Sequence, residues 1–195
     1  LPYLNEVVYD IVEKVDVLVM KALAGEIDMM DRHIATNDNK AVFTDNKAKG
    51  GYDFFNTIPS GMNEMILALN LNHKDPVFKE VFRNLKFRAG LSHALNRKEM
   101  IEVVWVGQGE PAQPAPLKES PFYNEKLKYQ YTEYSVAKAN QLLDEAGYSK
   151  KGGDGIRLRP DGKPISFVIE VSAGQTERIN ALELVRKYWK AVGVD

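Results

Sequence analysis

Side chains able to do chemistry are thinly spread along this chain. Glu26, Asp28, Asp31 and His33 lie close together and carry oxygen and nitrogen donors suited to a metal ion or an acid–base pair. No His-x-x-x-His or comparable ligand spacing accompanies them. The same stretch also reads as a helix stop at Gly25 followed by polar positions at a strand edge. His73 and His93, the remaining histidines, have no acid or nucleophile partner within a motif. Ser92 and His93 are neighbours on an expected helix and therefore point in different directions. There is no Gly-x-Ser-x-Gly elbow. Gly152-Gly153-Asp154-Gly155 has the glycine content of a phosphate cradle, but such a cradle follows a strand and opens a helix. Here the glycines follow a helix and precede an expected strand. The chain has no cysteine, so disulfides and thiolate metal sites are excluded. The sequence predicts no enzyme, no cofactor and no bound metal.

The elements are clearer than the chemistry. From Asn84 to Gly107 the spacing predicts two helices with a cap between them. Phe87, Leu91 and Leu95 form one apolar stripe, with Ala94 nearby. Asn96 interrupts it, and Glu99 three residues later completes a capping pair. Met100, Ile101, Val104 and Trp105 form the second stripe, and Gly107 supplies a left-handed stop. Upstream, Tyr3 to Val12 predicts a strand. Val15, Val19, Ala22 and Leu23 predict a helix ending at Gly25, and Glu26-Ile27-Asp28 opens a short strand. Residues 36–53 are polar and predict a surface loop with at most a short helix. Ile58-Pro59-Ser60-Gly61 reads as a turn, and Met62 to Leu71 as a buried strand.

Downstream, Pro111, Pro114, Pro116 and Pro121 exclude a helix or inner strand and predict an extended, semi-rigid loop. Tyr123, Tyr129, Tyr131 and Tyr134 follow, as pins for that loop or as a stacking platform for sugar rings. Ser135 caps a helix through Ala146 that buries Ala139, Leu142 and Leu143. Residues 156–159 and 165–171 read as strands joined at an Asp161-Gly162 hairpin turn. A last helix, Thr176 to Val192, turns Ile179, Leu182, Val185, Trp189 and Val192 inward, and Gly193 ends it.

Bulk composition fits a soluble globular chain of 195 residues, 44% hydrophobic and 27% charged. A formal net charge of −1 gives no electrostatic reason to expect nucleic acid or an anionic membrane. No segment approaches the roughly 20 apolar residues needed to span a bilayer. The first residues lack the basic and apolar regions of a secretion signal.

The wording of five stretches, in order, resembles the extracellular solute-binding proteins of peptide, nickel and oligosaccharide ABC transporters (family 5). They are Ala24–Asp28, Asn70–Phe78, Arg88–Gly107 with its Arg-x5-Ala-x-Asn-Arg core, Ala137–Tyr148 and Trp189–Val194. The resemblance implies an α/β chain: part of a two-lobe, type II periplasmic-binding-protein fold, a mixed sheet with flanking helices. It implies residues 1–70 as the end of lobe I with a crossover strand, and 71–195 as the first half of lobe II. On this reading the chain is a fragment, without its signal segment, that binds ligand weakly or not at all when alone.

The function implied is capture of an oligopeptide in an interlobe cleft and delivery to a membrane permease, in the periplasm or anchored outside the membrane. The complete protein is expected to be a monomer without nucleic-acid partners. An oligosaccharide ligand is the alternative, with nickel or haem behind it; a regulatory or chaperone-like binding module is the alternative of another class. A strand at the crossover lies near the cleft, so Asn70 and Asn72 are candidate ligand contacts, or else caps of the turn that follows. Trp105, with Gln108 beside it, offers a stacking surface for sugars, a wall for peptides, or plain core filler.

Overall fold

The computed structural model describes residues 3–30, 32–57, 63–172 and 175–195. The turn expected at Ile58-Pro59-Ser60-Gly61, residue Met62 and the Asp31 carboxylate lie outside the described residues. The chain divides into two compact units, Leu1–Pro59 and Ser60–Asp195.

In the first unit α1 (Val15–Leu23) ends as expected, with Gly25 at φ 76°. Residues 37–50 are not a loop: they form α2 (Asn37–Gly50). This helix has no apolar stripe, so periodicity could not announce it. It is held by its ends and by one anchor. Gly51 caps it in the left-handed conformation, Lys47 and Lys49 sit in the last turn where cations oppose the helix dipole, and Phe43 is buried with Leu18 and Ile34. The Tyr52 ring meets Phe43 edge-on at 6.1 Å.

The second unit is built from helices. Asp75 caps α3 (Pro76–Arg83), accepting from the Val77 amide at 2.9 Å, with Pro76 in the first turn where no amide donor is needed. Asn84 ends α3 and starts α4 (Leu85–His93), its Oδ1 accepting from Lys86 at 3.0 Å and Phe87 at 3.3 Å. Arg88 reaches back to the orphan carbonyls of Phe82 and Arg83, both at 2.7 Å. Asn96 caps α5 (Arg97–Trp105), accepting from Glu99 N–H at 3.2 Å. The return bond runs from Asn96 Nδ2 to Glu99 Oε2 at 3.0 Å, side chain to side chain. The polar residues of the Arg88–Arg97 motif are therefore connectors between helices, and the motif marks a fold.

After α5 come α6 (Glu125–Tyr129), α7 (Val136–Glu145) and α8 (Thr176–Ala191). Ser135 caps α7 through the Lys138 amide, as the sequence predicts. Helices α4 and α7 touch at Gly90, where an added Cβ would meet Leu143 Cγ at 2.9 Å and Ala139 O at 3.1 Å. On α8 the inward face is Ala181, Val185, Tyr188, Trp189 and Val192, whereas Ile179 is exposed and Leu182 half-buried. Trp189 Nε1 donates to Leu91 O at 3.1 Å, tying α8 to α4. Phe82, Phe87, Phe167 and Trp189 fill the centre with ring-to-ring contacts of 5.2–6.4 Å.

The expected mixed sheet is not present among the described residues. Only two isolated antiparallel bridges occur there, Lys151 with Arg157 and Leu158 with Pro164, the second closing the Asp161-Gly162 turn. Segments 3–12 and 26–28 carry no ladder, and Tyr3, Val7, Val8, Tyr9 and Ile11 are exposed. Segments 63–70 and 165–171 are extended and alternate as strands do. Met65, Leu67 and Leu69 pack on the core while Glu64, Ile66 and Ala68 face out; Ile165 and Phe167 face in while Ser166 and Val168 face out. A strand needs a neighbour about 4.8 Å away. Among the described residues segment 165–171 finds one only at its start: Asp195 donates to Ile165 O at 3.1 Å and accepts from Phe167 N–H at 3.0 Å, in parallel register, and Arg157 O accepts from Ile165 N–H at 2.7 Å.

A buried guanidinium holds this end of the unit together. Arg157 is 1% exposed and donates to Val192 O at 2.7 Å, Tyr148 O at 2.6 Å and Asn140 Oδ1 at 2.7 Å, and pairs with Asp144. Sequence reasoning missed this role. In the sequence Arg157 is one polar position in an expected strand, and nothing there signals its burial.

Candidate functional site

The four candidate residues fall into two pairs at two places. Asn70 and Asn72 sit at the end of segment 63–70, just ahead of α3. Both are exposed, and Asn70 Oδ1 accepts from the Asn72 amide at 3.0 Å. The Asn70 carbonyl also takes His73 N–H at 3.2 Å. Asn70 thus closes an Asx turn with its side chain.

Trp105 and Gln108 bracket the end of α5. Val106 takes the left-handed conformation at φ 52°, ψ 43°, and Gly107 follows at φ 74°. A β-branched residue there is strained by about 1–2 kcal/mol. The double left-handed step lets Gln108 N–H bond Trp105 O at 2.9 Å and sends the chain sharply away from the helix. Trp105 is half-buried and packs on the same core as Met65, Leu67 and Leu69. Its indole Nε1 is buried with no acceptor among the described residues, and so is Asn63 Oδ1 with no donor. Asn63 Nδ2 reaches Ala112 O at 3.4 Å, so the start of segment 63–70 lies against the loop that follows α5. Such orphan buried groups call for a water or ligand atom.

That loop is fixed by polar clasps. Glu110 accepts from Lys128 and, at 3.1 Å, from Tyr129 OH. The Lys128 ammonium and then the Tyr129 hydroxyl hold the Glu110 carboxyl below the usual range, and the Glu110 hydrogen bond raises Lys128. Gln113 N–H bonds Lys128 O at 2.7 Å. Ser92 Oγ donates to Tyr131 O at 2.8 Å. His93 is buried rather than half-exposed as a helix-surface residue would be, its Nδ1 2.7 Å from Glu133 O. Tyr129 and Tyr131 therefore take part in pinning the loop, and their ring faces stay partly open at 39% exposure each. Among the described residues no cluster of His, Asp or Glu could hold a metal ion; Glu26 pairs with Lys21.

Comparison with known proteins gives the class. The family model for bacterial extracellular solute-binding proteins, family 5 (middle), matches residues 1–195, and the chain belongs to that family. It is 29% identical to the oligopeptide-binding protein AppA of Bacillus subtilis over all of this chain and 33% of that protein. It is 27% identical to a probable ABC transporter-binding protein of Deinococcus radiodurans, over 100% of this chain and 32% of the other. Among solved structures, an oligopeptide-binding protein OppA superposes with a TM-score of 0.72 at 36% identity, over 94% of this chain and 29% of that one. The chain spans about a third of the length of the curated relatives it matches. These relatives are binding proteins, and no catalytic constellation was found in the sequence.

Proposed function

We propose that this chain is the middle part of the substrate-binding component of an ABC importer, which captures an oligopeptide between two lobes and delivers it to a membrane permease outside the cytoplasm. The observation that carries this reading is the likeness to OppA across nearly the whole chain, 36% identity with a TM-score of 0.72. On this reading residues 1–70 end lobe I and 71–195 begin lobe II of a type II periplasmic-binding-protein fold. The mixed sheet is then completed by strands from the rest of the protein. Segment 63–70, which has no ladder among the described residues, and segment 165–171, paired only at its start, each have one face already on the core and support that.

The ligand-facing candidates are Trp105 and Gln108, with Asn70 and Asn72 at the crossover. A peptide main chain offers alternating donors and acceptors, the chemistry that the orphan Trp105 Nε1 lacks. Lobe closure is a population shift, so the ligand binds the closed state better than the open one. No described helix is long and apolar enough to cross a membrane, and delivery requires a separate permease. The test is calorimetric titration of the full-length protein with short peptides and with oligosaccharides, for the natural sequence and Trp105→Ala. Peptide binding weakened tenfold or more by Trp105→Ala supports the site. Unchanged affinity with lowered stability makes Trp105 core filler, and binding of sugars alone moves the ligand class to oligosaccharide.

A further inference from the structure

A second concave site lies wholly within the second unit, between the start of α5, the loop after it and α7. Its volume is 840 Å³, within the usual range for small-molecule pockets, and its walls include Arg97, Lys98, Tyr129, Tyr131 and Tyr134. The charges around it do not balance. Of the two carboxylates lining it, Glu110 is taken by Lys128 and Tyr129, and Glu133 is taken by Lys138 at 3.0 Å. Arg97 and Lys98 have no acidic partner among the described residues.

Arg97 is the more telling of the two. Its guanidinium carries five N–H donors. The bonds it makes are to neutral groups of one residue, Ser92 O at 2.8 Å and Ser92 Oγ at 2.7 Å. These hold the guanidinium in a fixed plane and leave three donors for something else. Burial without a counter-charge pushes its pKa down to about 10. An arginine held this way in a groove is a ready fork for a carboxylate.

The other wall is aromatic. Tyr129, Tyr131 and Tyr134 are 39–47% exposed, although the Lys128 ammonium lies over the Tyr129 ring at 5.2 Å and the Tyr134 ring lies beside Tyr188 at 6.3 Å, so each keeps part of its ring surface open. Tyr131 is held at φ 56°, a left-handed conformation costly for an aromatic residue, with its ring perpendicular to His93 at 6.0 Å. Aromatic surface beside the fixed, unpaired Arg97 fork selects a ligand with a flat apolar body and a carboxylate.

We propose that this groove binds a small aromatic carboxylate, with the carboxylate on Arg97 and the ring against Tyr129, Tyr131 and Tyr134. It is independent of the oligopeptide reading. The test is calorimetric titration of the peptide-loaded, full-length protein with 4-hydroxyphenylacetate and its neutral amide. The expected result is a dissociation constant of roughly 0.1–1 mM for the acid and at least tenfold weaker binding of the amide, about 1.4 kcal/mol. Arg97→Gln should weaken the acid at least tenfold while leaving peptide binding intact, and Lys98→Gln should change it less than about threefold. No binding of the acid, equal binding of acid and amide, or full affinity in folded Arg97→Gln would overturn the proposal. Should Arg97→Gln fail to fold, the acid-to-amide ratio in the natural sequence decides alone.

Discussion

Replacing Arg157 by Met should be among the most damaging single changes in the second unit. The side chain is 1% exposed and joins the Val192 and Tyr148 carbonyls to Asn140 and Asp144. Met fills much of the volume, so the loss comes from the acceptors left behind. Each buried acceptor stripped of its donor costs about 1–3 kcal/mol. Asp144 contributes little to the deficit, because its side chain is 52% exposed and regains water. Partial relaxation of the others gives a net loss of about 3–5 kcal/mol. In urea, with a slope of roughly 2 kcal/mol/M, the midpoint should fall by about 2 M, followed by far-UV circular dichroism. Arg157→Lys keeps the charge and loses the planar fork, and should fall by about half as much. Asp144→Asn should cost less than about 1 kcal/mol. If Arg157→Met shifts the midpoint by less than about 0.5 M, the buried guanidinium is not the tie described here.

Three further outcomes follow from local geometry. Gly90→Ala gains about 1 kcal/mol of helix propensity but drives a Cβ to 2.9 Å from Leu143 Cγ. The net should be a loss of about 1–2 kcal/mol by urea unfolding, and a more stable variant would mean α4 and α7 are not in close contact. Val106→Gly relieves the left-handed strain at φ 52° on an exposed side chain and should raise the melting temperature by about 2–4 °C; a lower one would count against that strain. The Arg159 guanidinium beside Asp161 holds its carboxyl below the usual carboxylate range. Because the folded value is depressed, this stabilisation is complete above about pH 5 and is lost as pH falls through the folded pKa. Asp161→Asn should flatten that acid limb when urea midpoints are compared from about pH 2.5 to 6, and an unchanged limb would dissociate the pair from acid stability.

The helices with apolar stripes and side-chain caps were legible in the sequence. Phe87, Leu91 and Leu95 with Asn96 marked α4 and the start of α5, and Ser135 marked the start of the helix read through Ala146, which is α7. Helix α2 was not legible, because a polar helix anchored by one buried Phe43 has no period to read. The apolar run from Met62 to Leu71 reads as a buried strand, yet only Met65, Leu67 and Leu69 turn to the core while Ile66 is exposed, and an apolar run never says which chain lies alongside. The sheet therefore did not follow from it. Burial of charged groups was invisible, since Arg157 and His93 look like any other polar residue in a string. Of the site, Trp105 could be placed at the end of α5. Its orphan indole N–H and the strained Val106 beside it are properties of coordinates alone.

The central claim is that the chain belongs to a protein that captures oligopeptides for import. The most direct measurement is native mass spectrometry of the full-length protein as purified from its host. A ladder of bound masses matching short peptides is the predicted result. An empty protein that also takes up no added peptide would contradict it.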